Sequence, residues 1–371
     1  MKVTRRQVLA YRVAAQGLHR DAGSMDALGV LDIGVQEAMG HPAAVAFAAR
    51  LPGSASLPVV GPGHRLALAW TLRGAPHVHR RRDLDRVARA LWPLSEQDAA
   101  GRLNETGPSV ARAGIPALEQ FTIAVDAMRS VVTSPTAKGA ASTAVTKRIP
   151  DVMWRDCRAC KAQHISDSAM RTAAPAAGLE IEPGTAPPVL LPRRGAKLPT
   201  GPDPAAVRAM AIGYLRYLGP AGVGEVAGYL EARRADVQKV WPAGLAEVSV
   251  DGRATWLPAD VVDEVAAAPE PELVRLLGPF DPYLQARDRD LIVPDRAVHK
   301  QLWPVLGRPG VLFVDGEVVG TWRTKAAGAK LTISVESFAP LPASAWRQVD
   351  DEAARVAEAR GATDVTVRRV E

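Results

Sequence analysis

Between two proline-rich boundaries, Pro183 to Pro204 and Ala268 to Pro271, the sequence changes its apolar period in a fixed order. Val207, Met210, Tyr214 and Tyr217 recur at helical spacing until Gly219-Pro220 stops the run, and Val226 and Leu230 mark a short second helix. A third helix, about Ala235 to Val240, turns Val237, Val240 and Trp241 inward and leaves Arg233, Arg234, Gln238 and Lys239 to solvent or phosphate. The period then becomes two. Leu245 to Val250 and Arg253 to Leu257 are β-rich runs joined by Asp251-Gly252, the dipeptide that suits the two positive-φ positions of a type I′ turn. Three helices followed by a hairpin is the order of a winged helix-turn-helix, with residues 235–240 as recognition helix and the hairpin as wing. Gly222-Val223-Gly224 with Gly228 belongs to that turn, because its spacing is wrong for a nucleotide loop and no strand precedes it.

Upstream, Thr4 and Gln7 stand in capping-box spacing ahead of a helix through Val8 and Val13. A second helical segment is expected near Asp26 to Met39, ending at Gly40, with Pro- and Gly-rich turns from Leu51 to Gly63. Leu66, Leu68, Trp70 and Leu72 alternate as a strand that leads to Arg73-Gly74 and His77-Val78-His79-Arg80. Asp83 then caps a helix from Leu84 to Trp92, and Pro116 to about Gly178 reads as largely helical with little strand. Past Pro271 come Phe280-Asp281-Pro282-Tyr283 and Arg287-Asp288-Arg289-Asp290. Val311 to Val314, Glu317 to Lys325 and Lys330 to Phe338 alternate as an antiparallel β-meander with a second Asp-Gly turn at Asp315-Gly316. A last helix, Asp350 to Arg360, reads as a surface element.

Lys and Arg number 46 against 40 acidic residues, so the net charge is +6, which favours a polyanionic partner. Two cysteines build no disulfide framework and fit a reducing compartment, which makes the cytoplasm the expected location. The apolar stretch after Lys2, Arg5 and Arg6 is broken by Arg12 and Gln16, too early for a signal-peptide core. No run approaches the ~18 apolar residues of a spanning helix, so no membrane partner is expected. Cys157 and Cys160 with His164 have the spacing of a metal knuckle, but a fourth ligand is missing and no metal is expected. No βαβ pattern supports a redox reading of the pair. Asp281, Asp288 and Asp290, interleaved with Arg287 and Arg289, read as ion pairs on a structural turn. Trp322 reads as sheet packing, with Arg323 and Lys325 beside it as backbone contacts to nucleic acid. G-x-x-x-x-G-K-[ST] and G-x-S-x-G are both absent, and a small-molecule hydrolase lacks its nucleophile-base constellation.

Gly34-Val35-Gln36, Trp70-Thr71-Leu72-Arg73-Gly74 with His77, the Asp281 to Asp290 block, and Val314-Asp315-Gly316 with Gly320-Thr321-Trp322 occur in that order. As an ordered set over roughly residues 1 to 340 they resemble the AlkZ/YcaQ-like winged-helix family of DNA glycosylases. The resemblance implies an α+β chain of three tandem winged helix-turn-helix motifs with a small C-terminal antiparallel β-meander and no cofactor. It divides the chain into winged-helix units at 1–115, 116–200 and 201–268 and a β-rich portion with a terminal helix at 269–371. The implied partner is double-stranded DNA, and with no dimerisation helix in view a monomer is expected.

The family's activity is excision of alkylated purines, cross-linked ones included, through a motif resembling Gln-apolar-Gln or Gln-apolar-Asp. Its first position matches Gln36, its second is Glu37 and its third is Ala38, which removes one polar side chain. An N3- or N7-alkylated purine is already a cationic leaving group, so the enzyme has mainly to hold a water and stabilise the oxocarbenium sugar. Gln36 is the candidate water-holding residue. Glu37 either compensates for Ala38 as base or stabiliser, or faces solvent, since adjacent helical residues diverge by about 100°. His77 and His79, with Arg73, Arg80, Arg81 and Arg82, are candidate phosphate contacts beside the lesion. The competing reading is a winged-helix DNA-binding protein without chemistry, a regulator or lesion sensor.

Overall fold

The computed structural model describes residues 1–53, 59–103, 114–158 and 160–370; part of the expected turn region from Leu51 to Gly63 lies outside them. The first strands in chain order are β1 (Lys2–Val3), β2 (Val35–Gln36), β3 (Leu66–Trp70), β4 (Pro76–Arg80) and β5 (Thr136–Ala137). Next come β6 (Trp154–Cys157), β7 (Ala162–Ile165), β8 (Leu179–Ile181) and β9 (Val189–Pro192). The C-terminal third holds β10 (Leu245–Val250), β11 (Arg253–Pro258), β12 (Val274–Leu277) and β13 (Gly310–Val314). It ends with β14 (Glu317–Ala327), β15 (Lys330–Ser337) and β16 (Asp364–Val370).

Contacts divide this α+β chain into two compact units, each assembled from separated segments. Met1–Pro58, Gly213–Gly222 and Gly244–Glu371 form the first; Val59–Ile212 and Val223–Ala243 form the second. The four consecutive segments read from the sequence differ from this division, because the chain leaves and re-enters each unit. All elements expected over 204–258 are present: helices Pro204–Leu218, Val223–Leu230 and Arg234–Lys239, then the hairpin β10–β11. The hairpin turn has the two positive φ values of its type, +49° at Asp251 and +88° at Gly252.

In the first unit the helix Arg5–Ala15 starts as expected, with Gln7 N–H donating to Thr4 Oγ1 and Thr4 N–H to Gln7 Oε1. Its Val8 and Tyr11 pack with Val248, Val250, Leu257 and Val265, beneath a sheet ordered β1-β10-β11. The expected helix from Asp26 to Met39 is absent. Two 3₁₀ turns, Met25–Ala27 and Gly29–Asp32, lead into β2 instead. Glycines cause this: Gly34 takes φ +83°, and a Cβ on Gly29 would meet the Tyr217 ring at 2.2 Å.

The meander is the middle of a larger sheet, β12-β13-β14-β15-β16. Leu312 pairs with Gly320 and Phe313 with Val318, so Val319 is a bulge residue. Trp322 is buried and donates its indole N–H to the Leu277 carbonyl at 2.9 Å, as a packing residue should. A Cβ on Gly310 would lie 2.2 Å from the Trp322 ring, and one on Gly320 2.2 Å from the Glu336 carbonyl oxygen. The terminal helix begins earlier than expected, at Ala343, and runs to Ala359. It is a core element. Ala345, Val349, Ala353, Val356 and Ala357 form a buried stripe against Leu276, Trp322, Leu331, Ile333 and Val335. It connects β15 to the parallel strand β16, which periodicity had not revealed.

In the second unit β3 and β4 form an antiparallel hairpin that pairs Leu66 with Arg80 and Ala69 with His77. The sheet continues from β4 through β3, β8, β9 and β5. Helix Ala117–Val131 buries Phe121 and Met128, with Trp92 edge-on to Phe121 at 5.1 Å. Residues 116–178, expected to be nearly all helix, also contain β5 and the two-stranded β6–β7. Helix Leu84–Ala90 follows a 3₁₀ turn, and the Asp83 side chain makes no capping bond.

Candidate functional site

Gln36 ends β2 and Glu37 follows it, both half-buried in the first unit. The short strand replaces the expected helix, so the helical offset that would send Glu37 to solvent does not apply. Val35, beside them, is fully buried and fixes the backbone. One carboxylate oxygen of Glu37 accepts the Ala38 backbone N–H at 2.8 Å. Burial pushes the Glu37 carboxyl from its ordinary 4.5 up to about 7, against the opposing pull of that hydrogen bond. The result is a carboxyl poised between acid and base near neutral pH, one position after Gln36 in the chain.

The basic segment of the second unit departs from expectation. Arg73 occupies the left-handed region at φ +58°, its guanidinium 5.4 Å from the centre of the Tyr229 ring and donating to the Tyr229 carbonyl at 3.2 Å. His77 and His79 are 1% and 0% exposed, their rings 6.1 Å apart. His77 Nδ1 donates to the Ala75 carbonyl at 2.9 Å, and His79 Nε2 lies 3.1 Å from Thr71 Oγ1. Burial, with Arg73 and His79 adding to it, holds His77 well below its ordinary range, so its ring is neutral at neutral pH. Both rings are buried, so neither His77 nor His79 presents an exposed imidazole to a phosphate. Arg80 is buried 3.5 Å from Asp83, and Arg81 pairs with Glu180 while donating to the Gly61 and His64 carbonyls. Arg82 is exposed.

Arg233, Arg234, Gln238 and Lys239 are exposed around the helix Arg234–Lys239, and Val237 is buried, as expected. Asp236 anchors the helix start: it accepts from Ser95 Oγ at 2.6 Å and pairs with Lys239 at 3.3 Å. The Arg233 backbone N–H donates to Asp98 at 3.1 Å. Arg323 and Lys325 are exposed on β14, with Arg323 donating to the Gly307 carbonyl at 2.7 Å.

The Asp281 to Asp290 block is structural, but its partners are not the neighbouring arginines. Asp281 receives two bonds of 2.8 Å from Arg50, and both side chains are 0% exposed. Asp288 receives 2.5 and 3.1 Å bonds from the buried Arg12, whose Nε donates to the Gly219 carbonyl. Asp290 makes an exposed pair with Arg296. Sequence reasoning missed Arg12 and Arg50. The available signal was Arg12 itself, a charge four positions from Val8 on the inward face of its helix.

On β6–β7 the ligand atoms of Cys157, Cys160 and His164 lie within 4.8 Å of one another, the group of three such side chains found among the described residues. Neither cysteine is in a disulfide. Among the described residues no helix is long and apolar enough to cross a membrane.

The family described as DNA glycosylase AlkZ-like matches residues 25–359, and the chain belongs to that family. The solved structure of Streptomyces sahachiroi DNA glycosylase AlkZ shares the fold, with a TM-score of 0.73 and 22% identity over 100% of both chains. A curated relative, the interstrand DNA cross-link repair glycosylase of Streptomyces sahachiroi, is 30% identical over 180 residues. That match spans 46% of this chain and 46% of the relative, just under half the length of each.

Proposed function

We propose that the protein is a monofunctional DNA glycosylase that hydrolyses the N-glycosidic bond of alkylated or bulky purine adducts in duplex DNA. The observation that carries this reading is the half-buried Glu37 carboxyl, which follows Gln36 in sequence and is raised to about 7. The bond from C1′ to the purine nitrogen breaks with its electron pair going to the cationic purine, so no strong acid is required. The Gln36 amide oxygen accepts one hydrogen of the incoming water, the Glu37 carboxylate takes the proton, and the products are free base and abasic DNA. Glu37 thereby supplies the polar group that Ala38 lacks.

The test is a duplex containing 7-methylguanine, incubated with excess protein and scored for free base. Gln36→Ala is expected to lower the single-turnover rate by about 10²-fold, the cost of one positioned hydrogen-bonding group. Equal rates for the two proteins remove Gln36 from the mechanism.

The reading includes three tandem winged-helix motifs, supported by the helices and hairpin over 204–258, and a monomer working in the cytoplasm. Its phosphate contacts are Arg82, Arg233, Arg234, Lys239, Arg323 and Lys325, with Gln238 alongside, because these side chains are exposed. Replacing Arg234 or Lys239 by Ala is expected to weaken duplex binding equally across sequences and to reduce the slope of log K against log salt by about 1 each. Unchanged slopes would place the DNA elsewhere.

One observation favours a second reading, a DNA-binding regulator or lesion sensor without chemistry. Ala38 offers no polar side chain, and Glu37 already accepts the Ala38 N–H. That reading predicts salt-sensitive duplex binding with no free base released from any lesion.

A further inference from the structure

The hairpin β6–β7 contributes nothing to the proposed chemistry or to the proposed DNA contacts, yet it gathers two thiols and an imidazole. The geometry points to a zinc site formed by Cys157, Cys160 and His164, with the fourth coordination position open to the adjoining cavity.

The strand register explains the convergence. Cys157 pairs with Ala162 and Arg155 with His164, so Cys157 and His164 stand on one face of the two-stranded sheet, at diagonal positions. Cys160 follows in the connection, which Lys161 turns back at φ +51°. The ligand atoms lie within 4.8 Å of one another. Tetrahedral bonds of about 2.3 Å to sulfur and 2.0–2.1 Å to nitrogen set ligands about 3.5–3.8 Å apart, so side-chain adjustment of about an ångström closes the site.

One ring nitrogen of His164 is already engaged. His164 Nδ1 donates to the Ile165 carbonyl at 2.6 Å, which fixes that tautomer and leaves Nε2 to bind the ion. The donor set also selects the metal. Two thiols and an imidazole suit zinc, whereas magnesium and calcium take oxygen ligands. Binding converts two thiols to thiolates and releases two protons, so the two thiolate charges balance the dication.

Cys160 and His164 line a cavity of about 670 Å³ together with Lys138, Ser142, Trp154 and Asp167. Asp167 is the nearby carboxylate, but Lys138 and Arg171 both hold it. The fourth ligand is therefore water from the cavity, the pattern of a three-ligand zinc site with an open position. With ligands from both strands and from their connection, the ion pins this ribbon at its turn end.

The full chain, purified under reductant, is the material for the test, with zinc or cobalt alone as probe. One equivalent of zinc by elemental analysis is expected after loosely held metal is removed. Cobalt should give thiolate-to-metal charge-transfer absorption and intense tetrahedral visible bands, saturating at one equivalent and displaced by zinc. Cys157→Ser and Cys160→Ser should each lose those bands. His164→Ala should weaken zinc binding by more than about tenfold, the loss that even an outer-shell partner causes. In the wild-type chain, zinc should slow alkylation of the exposed Cys160, a readout that needs no variant. Zinc content unchanged in the Cys157→Ser, Cys160→Ser double variant overturns the proposal. So does cobalt without charge-transfer absorption, alkylation that zinc leaves unslowed, or a Cys157-Cys160 disulfide that persists in reductant and excludes the ion.

Discussion

Replacing Glu37 by Gln is expected to lower the single-turnover excision rate on a 7-methylguanine duplex by about 10²–10⁴-fold, the range for a positioned general base. Burial raises the Glu37 carboxyl from 4.5 to about 7, so the wild-type rate should fall about tenfold per pH unit below that value and level off above it. The variant, with nothing to titrate, should lose that limb. The same shift has a consequence for stability, with the opposite dependence on pH. The folded state holds the Glu37 proton to a higher pH than the unfolded chain does. Its stabilising contribution is therefore fully present below 4.5 and lost as pH rises through about 7. Glu37→Gln should accordingly be at least as stable as wild type above pH 7, by denaturant unfolding, which separates lost chemistry from lost fold. A variant with an unchanged acid limb would take the base role away from Glu37.

The second large effect concerns the fold. Asp281→Ala leaves the Arg50 guanidinium, 0% exposed, without its carboxylate, and should cost about 3–5 kcal/mol. Asp290→Ala removes an exposed, solvent-screened pair with Arg296 and should leave the unfolding midpoint nearly unchanged. Unfolding midpoints of the two variants, measured together, decide the matter. Similar losses would mean that the buried pair contributes no more than the surface one. Replacing both partners, Arg50→Met with Asp281→Leu, should recover much of the stability, because the cost lies in the charge left uncompensated.

The sequence made the local devices readable and left the long-range ones hidden. The capping box at Thr4 and Gln7, the Asp-Gly turns and the helices over 204–239 are encoded by residues within four positions of one another, and they stand where they were expected. The helix expected over 26–39 failed because Gly29 and Gly34 answer to tertiary demands, one of them the Tyr217 ring. The terminal helix reads as a surface element in the sequence because alanines form much of its buried stripe, and small side chains raise little apolar signal. The burial of His77 and His79 was equally invisible, since alternation assigns residues to a face without saying which strands cover it. At the candidate site Gln36 was legible as a candidate from the ordered motifs, and Glu37 as the residue that follows it. The raised carboxyl was not, because desolvation depends on what the fold brings near.

Arg12 and Arg50 are made early and their partners late, which gives the buried ion pairs a meaning in time. Asp281 lies 231 residues after Arg50, and Asp288 lies 276 after Arg12. At about 5–20 residues per second, a ribosome takes roughly ten to fifty seconds to cross either interval. Until then two guanidiniums that end with no exposure at all must remain hydrated, and the N-terminal segment cannot close over them. A nascent chain that stops before Asp281 holds both charges without their carboxylates, so the first unit locks only when its last third has been made.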